Sequence, residues 1–325
     1  MHSLQRGSGE DREGVRLIAG KWRRSPAILI AASVVATVGG GGCASVFAED
    51  GTSASLGTTS EGALRDPVML PISGDGYVVP AHWLPRNSNY GTEELVGLVA
   101  RSTRLVDDQV PGGIAAIGDL SRRGGGASIE HKSHRSGRDA DIFYYAVDEG
   151  GRPVVPGEAM LRFNAEGRAV HWSPARGEKA PNRPVPRHRF DTKRNWALVR
   201  ALIEDPGAEV QWIFIQHNLA ALLFREAVAS GEDPAVLARA AYVLREPSDA
   251  EPHDDHMHVR IYCDARDRTF GCVDKGPVRW LKKAWKYMAP PFGRAPSRPE
   301  DAAWTLLKTM TGELPPLFFR APLTS

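Results

Sequence analysis

Two short segments hold half of this chain's histidines, and they constrain the fold more than any other feature. The first runs from His131 to Asp141 (HKSHRSGRDAD) and the second from His253 to Ile261 (HDDHMHVRI). Five of the ten histidines lie in them. Neutral imidazole together with carboxylate is the ligand set of many catalytic zinc ions, which take three protein ligands and keep one position open. A chain built to use these residues must bring two distant segments together.

The second segment has the alternation of a β-strand. Successive side chains of a strand point to opposite faces, so His256, His258 and Arg260 share one face. The residues between them are apolar and predict a face packed on the core: Met257, Val259 and Ile261. The pattern predicts a strand that presents two imidazoles at a cleft. A solvent-facing strand with incidental histidines is the alternative.

The first segment supplies the complementary ligands. His134 lies just before a Ser-Gly turn, and Asp139 and Asp141 alternate onto one face of the strand that follows. His134 and one of these carboxylates provide two ligands, and His256 or His258 provides a third. The residues alone therefore predict a His₂Asp zinc site with one open position. They do not decide which carboxylate and which histidine complete it.

Composition and charge narrow the classes of partner. A chain of 325 residues is long enough for one or two domains with real cores. Lys and Arg number 41 against 39 Asp and Glu, for a net charge of +2, and the basic residues are scattered. This balance predicts no nucleic-acid partner. The sequence also lacks the histidine-rich tract typical of metal-storage proteins.

The N-terminus predicts export. A basic stretch (KWRR) precedes the apolar run from residue 27 to residue 38. A run of about a dozen residues is too short to span a membrane and matches the central region of a signal peptide. Residues 1–48 are therefore predicted to be a signal peptide that directs the chain to the periplasm; a buried core helix is the alternative. Cleavage after Ala48 and lipid attachment at Cys43 both remain open, and that lipid anchor is the only membrane contact predicted.

The remaining sequence divides into three predicted parts. Residues 49–66 are small and polar and are typical of a flexible linker. Residues 67–289 form the zinc-binding domain, and residues 290–325 form a Pro-rich tail. Helical and strand patterns mix without regular β-α-β alternation, which predicts the α+β class. The expected architecture is a small antiparallel sheet that bears the zinc site, flanked by helices and long loops.

Several elements have clear boundary signals. Thr92 and Asp191 are typical N-cap residues, and each precedes a stretch of helical periodicity. Residues 140–146 and 210–216 are β-branched and aromatic and predict strands. Residues 150–186 are rich in Gly, Pro and Arg and predict a long surface loop.

Cysteine usage fits an exported protein. Apart from Cys43, the chain has only Cys263 and Cys272, nine residues apart and just after the second histidine segment. A pair of cysteines in an exported protein predicts a disulfide. Two free buried thiols are the alternative.

The two histidine segments together resemble a known family. The pattern SHxxGxDxD at residues 133–141, followed far downstream by HxxHxH at residues 253–258, is similar to that of the penicillin-insensitive murein endopeptidases. This family belongs to the group that also holds lysostaphin-type peptidases and D-Ala-D-Ala metallopeptidases. Supporting similarities are the stretches NYGT at 89–92, RNW at 194–196 and WIF at 212–214. The resemblance covers roughly residues 68–275.

The resemblance implies a role for each candidate residue. The zinc ligands fall on three residues: His134, Asp141 and His258. His256 falls on the position of the catalytic base or transition-state stabiliser, and His131 and His253 fall on histidines that assist near the metal without binding it. Asp139 has no ligand role in the family pattern and is predicted to orient a metal-bound histidine.

The resemblance also implies a reaction. The family's members are zinc endopeptidases that hydrolyse the D-alanyl–diaminopimelate cross-links between peptide stems of peptidoglycan. No HExxH motif occurs, so the glutamate base of zincins is absent. The carboxypeptidase branch of the group places a glutamate base where this chain has Asp255, which favours the endopeptidase branch. The alternatives are a D,D-carboxypeptidase, another murein amidohydrolase, and a non-catalytic cell-wall binding protein.

Overall fold

The structure is a computed structural model that describes residues 50–154, 160–170, 184–247, 250–277 and 279–280. The predicted signal peptide (1–48) and C-terminal tail (290–325) lie outside these ranges. The strands are β1 (Ala54–Gly57), β2 (Gly62–Arg65), β3 (Val68–Met69), β4 (Ser73–Gly74), β5 (Tyr77–Val78), β6 (Tyr90–Gly91), β7 (Ala115–Ala116), β8 (Asp139–Phe143), β9 (Ala146–Val147), β10 (Arg162–Phe163), β11 (Arg168–Val170), β12 (Pro184–Phe190), β13 (Val210–Phe214), β14 (Leu244–Arg245) and β15 (His256–Ile261). The helices are α1 (Glu93–Gln109), α2 (Thr192–Glu204), α3 (His217–Ala229), α4 (Pro234–Val243) and α5 (Ala265–Thr269), with a 3-10 helix at Ala81–Arg86.

Both histidine segments contribute a strand to one sheet. Its strand order is β14-β13-β15-β8, with β15 antiparallel to both of its neighbours and β14 added in parallel to β13. The register places His258 opposite Asp141 and Arg260 opposite Asp139. The α+β class is confirmed, because helices and several small sheets make up the fold. The site-bearing sheet is antiparallel except for its β14 edge.

The two faces of this sheet have opposite chemistry. One face carries the acidic and histidine side chains, and the other carries fully buried apolar residues: Ala140, Ile142, Ile213, Met257 and Val259. Burial of one such large aliphatic side chain contributes about 1.5–3 kcal/mol. Helix α4 packs against β13, and α1 packs against β8 and α2. The apolar face thus fixes the sheet to the core and leaves the polar face free to form a site.

Helices α1 and α2 begin at the predicted N-cap residues, Thr92 and Asp191. The Thr92 hydroxyl accepts a hydrogen bond from the backbone N–H of Leu95, at the first turn of α1. The Asp191 carboxylate accepts one from the backbone N–H of Arg194 in α2. Such caps satisfy N–H groups that have no partner within the helix. The predicted strands at 140–146 and 210–216 are also present, slightly shortened, as β8 and β13.

The prediction of a long surface loop at residues 150–186 is wrong for the described part of that segment. Strands β10, β11 and β12 form a second four-stranded sheet with β9. Phe163 on β10 is almost fully buried and packs edge-on against Tyr144 and Phe190, with ring centres 5.9 and 5.4 Å away. Strand pairing and this buried aromatic side chain connect the segment to the core, although its composition is that of a loop.

The prediction of a flexible linker at residues 49–66 is wrong for residues 54–65, which form the β1-β2 hairpin. Ser55 is fully buried, and its backbone N–H donates to the Asp267 carboxylate at 3.1 Å. Leu64 is also buried, and the Gly57 N–H donates to the carbonyl of Gly271 at 3.1 Å. Small polar residues here find partners far along the chain, which a compositional argument cannot detect.

The predicted disulfide is present between Cys263 and Cys272, and both residues are buried. It closes a loop that contains α5 and adjoins the β1-β2 hairpin. We expect replacement of both cysteines by serine to lower the free energy of unfolding by about 2–4 kcal/mol, because the unfolded chain regains loop freedom. Urea unfolding of the oxidised wild type and the double variant measures the difference. An unchanged midpoint would contradict a stabilising role.

Asp267 makes the stability of this region dependent on pH. Burial raises the pKa of its carboxyl to about 6, although the Ser55 N–H lowers it, and Glu94 raises it further. An unfolded aspartate has a pKa of about 3.9. The folded state therefore binds more protons between these two values, and the stability gained by protonation is complete below pH of about 4 and is lost as the pH rises through 6.

Because the wild type loses this stability as the pH rises, the Asp267→Asn variant has a specific expected behaviour. The amide is neutral at every pH and can still accept from the Ser55 N–H. The melting temperature of the variant minus that of wild type should therefore increase between pH 4 and pH 7. Thermal unfolding at four or five pH values measures this difference in melting temperature. A difference that does not change with pH would show that ionisation of Asp267 does not affect the stability of the fold.

Across the described ranges, no helix combines the length and apolar character that crossing a membrane requires.

Candidate metal centre

Three buried ligand atoms from the two histidine segments form a nearly equilateral triangle. The His134 Nε2, Asp141 Oδ1 and His258 Nδ1 atoms are each 3.3 Å from the other two. Tetrahedral zinc with bonds of about 2.0–2.1 Å places its ligand atoms about 3.3–3.4 Å apart. The triangle therefore has the dimensions of three corners of a zinc coordination tetrahedron.

The Asp141 oxygen at this triangle lacks an ordinary partner. Asp141 Oδ1 is buried and, within the described part of the chain, receives no hydrogen bond. His256 Nε2 also lies close, at 3.4 Å. Burial opposes ionisation, but His134 and His256 outweigh it and hold the pKa of Asp141 well below its usual range. A buried carboxylate oxygen without a donor is unfavourable, and a cation is the partner that this donor set fits.

The backbone around residue 120 fixes the orientation of His134. The His134 Nδ1 atom lies 2.7 Å from the Leu120 carbonyl oxygen, which only an N–H can approach favourably. Nδ1 therefore carries the proton, and Nε2 presents its lone pair to the triangle. His134 itself has φ of 61°, and its carbonyl accepts from the Ser121 hydroxyl at 2.6 Å. The local turn thus aims this imidazole at the site.

A carboxylate and a guanidinium fix the orientation of His258. Its Nε2 atom lies 2.9 Å from Asp139 Oδ1, and Arg260 Nε donates to the same oxygen at 2.6 Å. Burial raises the pKa of Asp139, but the Arg260 charge and the His258 contact bring it below its ordinary value. The ionised carboxylate accepts a hydrogen bond from the Nε2–H and leaves the Nδ1 lone pair facing the triangle, where it could bind a metal. The structure thus places Asp139 behind His258, on the side of the imidazole away from the triangle.

His256 lies between two carboxylates at the edge of the triangle. Its Nδ1 is 2.6 Å from Asp255 Oδ1, and its Nε2 faces Asp141. Burial disfavours the imidazolium, but Asp141 and Asp255 outweigh it and raise the pKa of His256 well above its usual value. The contact with Asp255 fixes the Nδ1 proton and directs Nε2 toward the centre, where it can donate or accept a proton.

The other two predicted histidines also lie close to the triangle. His131 Nε2 is 2.7 Å from Asp119 Oδ2 and 3.9 Å from Asp141 Oδ2. The His253 ring lies 4.8 Å from the His256 ring, between centres. Burial, followed by the charges of His256 and His258, lowers the pKa of His253 to about 3. The structure brings all six predicted site residues together.

The ligand atoms also divide into two triplets. Within each triplet the atoms lie within 4.8 Å of one another. The triplets are His131, His134 and Asp141, and His253, His256 and His258. The predicted set takes members of both triplets, and each of its three atom pairs is 3.3 Å apart, which is the spacing of ligand atoms around tetrahedral zinc. We therefore favour the mixed set as the metal-binding one.

Asp119 is a further acidic residue at this site that the sequence pattern did not predict. Its buried carboxylate contacts His131, Arg86 (2.9 Å) and the Ser88 hydroxyl. Its backbone carbonyl accepts from the Asp141 N–H at 2.9 Å. Asp119 therefore contacts both His131 and the backbone of the strand that carries Asp141. Nothing in the surrounding sequence (GDLS) marks it, because its partners are set by tertiary contacts.

Two comparisons with known proteins bear on the family of this chain. The family model described as penicillin-insensitive murein endopeptidase matches residues 55–280. A protein of Klebsiella pneumoniae subsp. pneumoniae with the name penicillin-insensitive murein endopeptidase is 26% identical over 233 residues, which are 70% of this chain and 72% of that protein. A protein of the same name from Klebsiella pneumoniae strain 342 matches to the same extent. The matched region contains both histidine segments and the hairpin that precedes them.

Proposed function

The chain belongs to the penicillin-insensitive murein endopeptidase family, and from this premise we propose that it is a zinc peptidase that hydrolyses D-alanyl–diaminopimelate cross-links between peptidoglycan stems. The triangle of His134, Asp141 and His258 is the observation that carries the metal assignment. The names of the Klebsiella relatives support the substrate class. The partners of this protein are then peptide stems of the cell wall.

The residues of the chain divide the work of the reaction. His134, Asp141 and His258 would hold the zinc ion, which supplies Lewis-acid activation of water and of a scissile carbonyl. His256 would assist the reacting groups in one of two ways: its Nε2 takes a proton from the attacking water, or its Nε2–H donates a hydrogen bond to the developing oxyanion. Asp255 keeps Nδ1 protonated throughout, so Nε2 remains the exchanging atom.

The flanking histidines complete the surroundings of the reacting groups. His131, held by Asp119, provides a fixed imidazole beside Asp141 Oδ2. His253 has a depressed pKa and stays neutral near neutral pH. It packs beside His256 and adds no second positive charge next to the proton-transfer group. Their roles are support and not metal binding.

Peptidoglycan lies outside the cytoplasm, so this function requires export. The signal-peptide pattern at residues 1–48 provides the route, and we propose the periplasm as the location. Mass analysis of the mature N-terminus distinguishes the two processing routes. A chain that begins at Glu49 indicates soluble export, and a chain that begins at a lipid-modified Cys43 indicates an anchor.

Substrate choice tests the endopeptidase assignment. We expect purified protein to convert cross-linked muropeptide dimers to monomers and to leave the terminal D-alanine of a monomeric pentapeptide intact. The contact between Asp255 and His256 supports this expectation. Asp255 stands where the carboxypeptidase branch has its glutamate base, and here its carboxylate is engaged by the His256 Nδ1. Release of D-alanine from the pentapeptide would identify a D,D-carboxypeptidase. Binding to the wall without cleavage of either substrate would identify a non-catalytic protein.

A further inference from the structure

A row of side chains crosses the sheet from the metal centre to an exposed arginine. In the strand register, Asp141 lies opposite His258, His258 lies opposite Phe214, and Phe214 lies opposite Arg245. Adjacent strands are about 4.8 Å apart, which places the Arg245 backbone roughly 10 Å from that of His258. The arginine is therefore at the distance of a neighbouring substrate group and not of the reacting atoms.

Two aromatic side chains of β13 connect Arg245 and His258: Trp212 contacts Arg245, and Phe214 contacts His258. Trp212 and Phe214 are two residues apart on β13 and share one face. The Phe214 ring packs edge-on against His258, with 5.3 Å between ring centres. The guanidinium carbon of Arg245 lies 5.2 Å from the centre of a Trp212 ring. This stacking places the guanidinium on the same face as the metal centre and restricts its motion.

Within the described ranges, no carboxylate forms an ion pair with Arg245. Among the described residues, the Trp212 ring is the recorded partner of this exposed side chain. Arg260, whose guanidinium packs over the Phe214 ring, instead donates a hydrogen bond to Asp139 and is therefore already paired with a carboxylate. Glu246, which follows Arg245, instead accepts a backbone N–H at the start of α3. Arg245 therefore keeps its donors available for an anionic ligand.

We propose that Arg245, stacked on Trp212, binds the substrate carboxylate adjacent to the scissile amide nitrogen. The inference rests on the proposed function, in which diaminopimelate supplies that nitrogen and carries a carboxylate on the same carbon. This carboxylate is three bonds from the scissile carbonyl carbon, within about 4 Å. An arginine side chain reaches roughly 6 Å from its Cα, so the guanidinium and a substrate carboxylate about 4 Å from the reacting carbon can together span the roughly 10 Å between the Arg245 and His258 backbones.

The chemistry of the pair explains why an arginine is suited to this position. A guanidinium presents parallel N–H donors that match both oxygens of a carboxylate. Amidation of the same carboxylate removes its charge and one acceptor oxygen. The site should therefore select stems with a free diaminopimelate carboxylate over amidated stems, and Arg245 should account for the selection.

Two synthetic cross-linked dimers test this assignment. They are identical except that the diaminopimelate carboxylate next to the cross-link is free in one and amidated in the other. We expect wild type to have a KM about 10- to 100-fold lower for the free form, as expected for a charge-assisted hydrogen bond. Arg245→Gln should abolish this preference through KM and not kcat, and Arg245→Lys should keep part of it. Thermal unfolding checks that both variants fold.

A matched control separates this effect from a general loss of positive charge. Arg104→Gln removes an exposed arginine of α1. Its Nε atom lies 3.8 Å from Asp108 Oδ2, which is a long ion pair. The control should keep the wild-type preference. If Arg245→Gln discriminates between the two dimers as wild type does, the inference is wrong even though the proposed function stands.

A binding measurement decides the inference if no dimer is cleaved, an outcome that would overturn the proposed function itself. Calorimetry would then compare the two uncleaved dimers on wild type and on Arg245→Gln. Tighter binding of the free carboxylate by wild type alone supports the carboxylate site, and equal binding by both proteins overturns it.

Discussion

Replacement of His134, Asp141 or His258 by alanine is expected to remove most of the bound zinc and to reduce cleavage of cross-linked muropeptides by roughly a thousandfold or more. Each residue contributes one atom of the 3.3 Å triangle, so each variant leaves only two protein ligands. Loss of the metal removes several kcal/mol of transition-state stabilisation, which corresponds to such a factor. Elemental analysis measures zinc per chain, and a muropeptide assay measures activity.

Two controls make this prediction specific to the triangle. His217→Ala removes a histidine that belongs to neither candidate metal-binding triplet and should retain one zinc per chain. Asp139→Asn should retain zinc more weakly, by roughly 10- to 100-fold in affinity, because Asp139 orients His258 without binding the metal. Full zinc occupancy in all three ligand variants would refute the assignment.

His256→Ala is expected to keep zinc near one ion per chain and to lose about 10²- to 10⁴-fold in kcat. Loss of a general base or a single oxyanion donor has effects of this size. His256 Nε2 is directed at Asp141 from outside the triangle, and its removal leaves the three ligand atoms in place. Parallel measurements of metal content and of turnover on cross-linked dimers separate the two effects.

Asp255→Asn is the matched variant for the same proton-transfer group. It removes the carboxylate that holds His256 Nδ1 but keeps the imidazole, so its effect on kcat should be smaller than that of His256→Ala. Loss of zinc from His256→Ala would instead make His256 a ligand. Near wild-type turnover would make it structural only.

The strand that carries the histidines of the second segment could be predicted from the sequence. Alternation of apolar and polar residues is a local property, and β15 has the predicted faces because Met257 and Val259 need the core. The strand pattern by itself could not choose between Asp139 and Asp141, since both lie on the same face of β8, and only the family resemblance favoured Asp141. The register also favours Asp141, because it sets Asp141 opposite His258 and Asp139 opposite Arg260. Registers arise from tertiary packing and have no local signal.

The errors have the same physical origin. The β1-β2 hairpin looks like a linker by composition, and its stability comes from contacts with residues near the disulfide more than 200 positions later, such as that between Ser55 and Asp267. Asp119 was missed because its partners, His131 and Arg86, converge on it only in the folded chain. Long-range polar contacts of this kind determine much of the site.

The most direct test of a zinc-dependent endopeptidase is digestion of isolated peptidoglycan with and without a chelator. Purified protein is incubated with sacculi, and the soluble muropeptides are identified by mass. We expect cross-linked dimers to disappear and monomers with a C-terminal D-alanine to accumulate. Chelation should stop this conversion, and one equivalent of zinc should restore it. Unchanged dimers with the zinc-loaded protein, or full conversion by metal-free protein, would contradict the account.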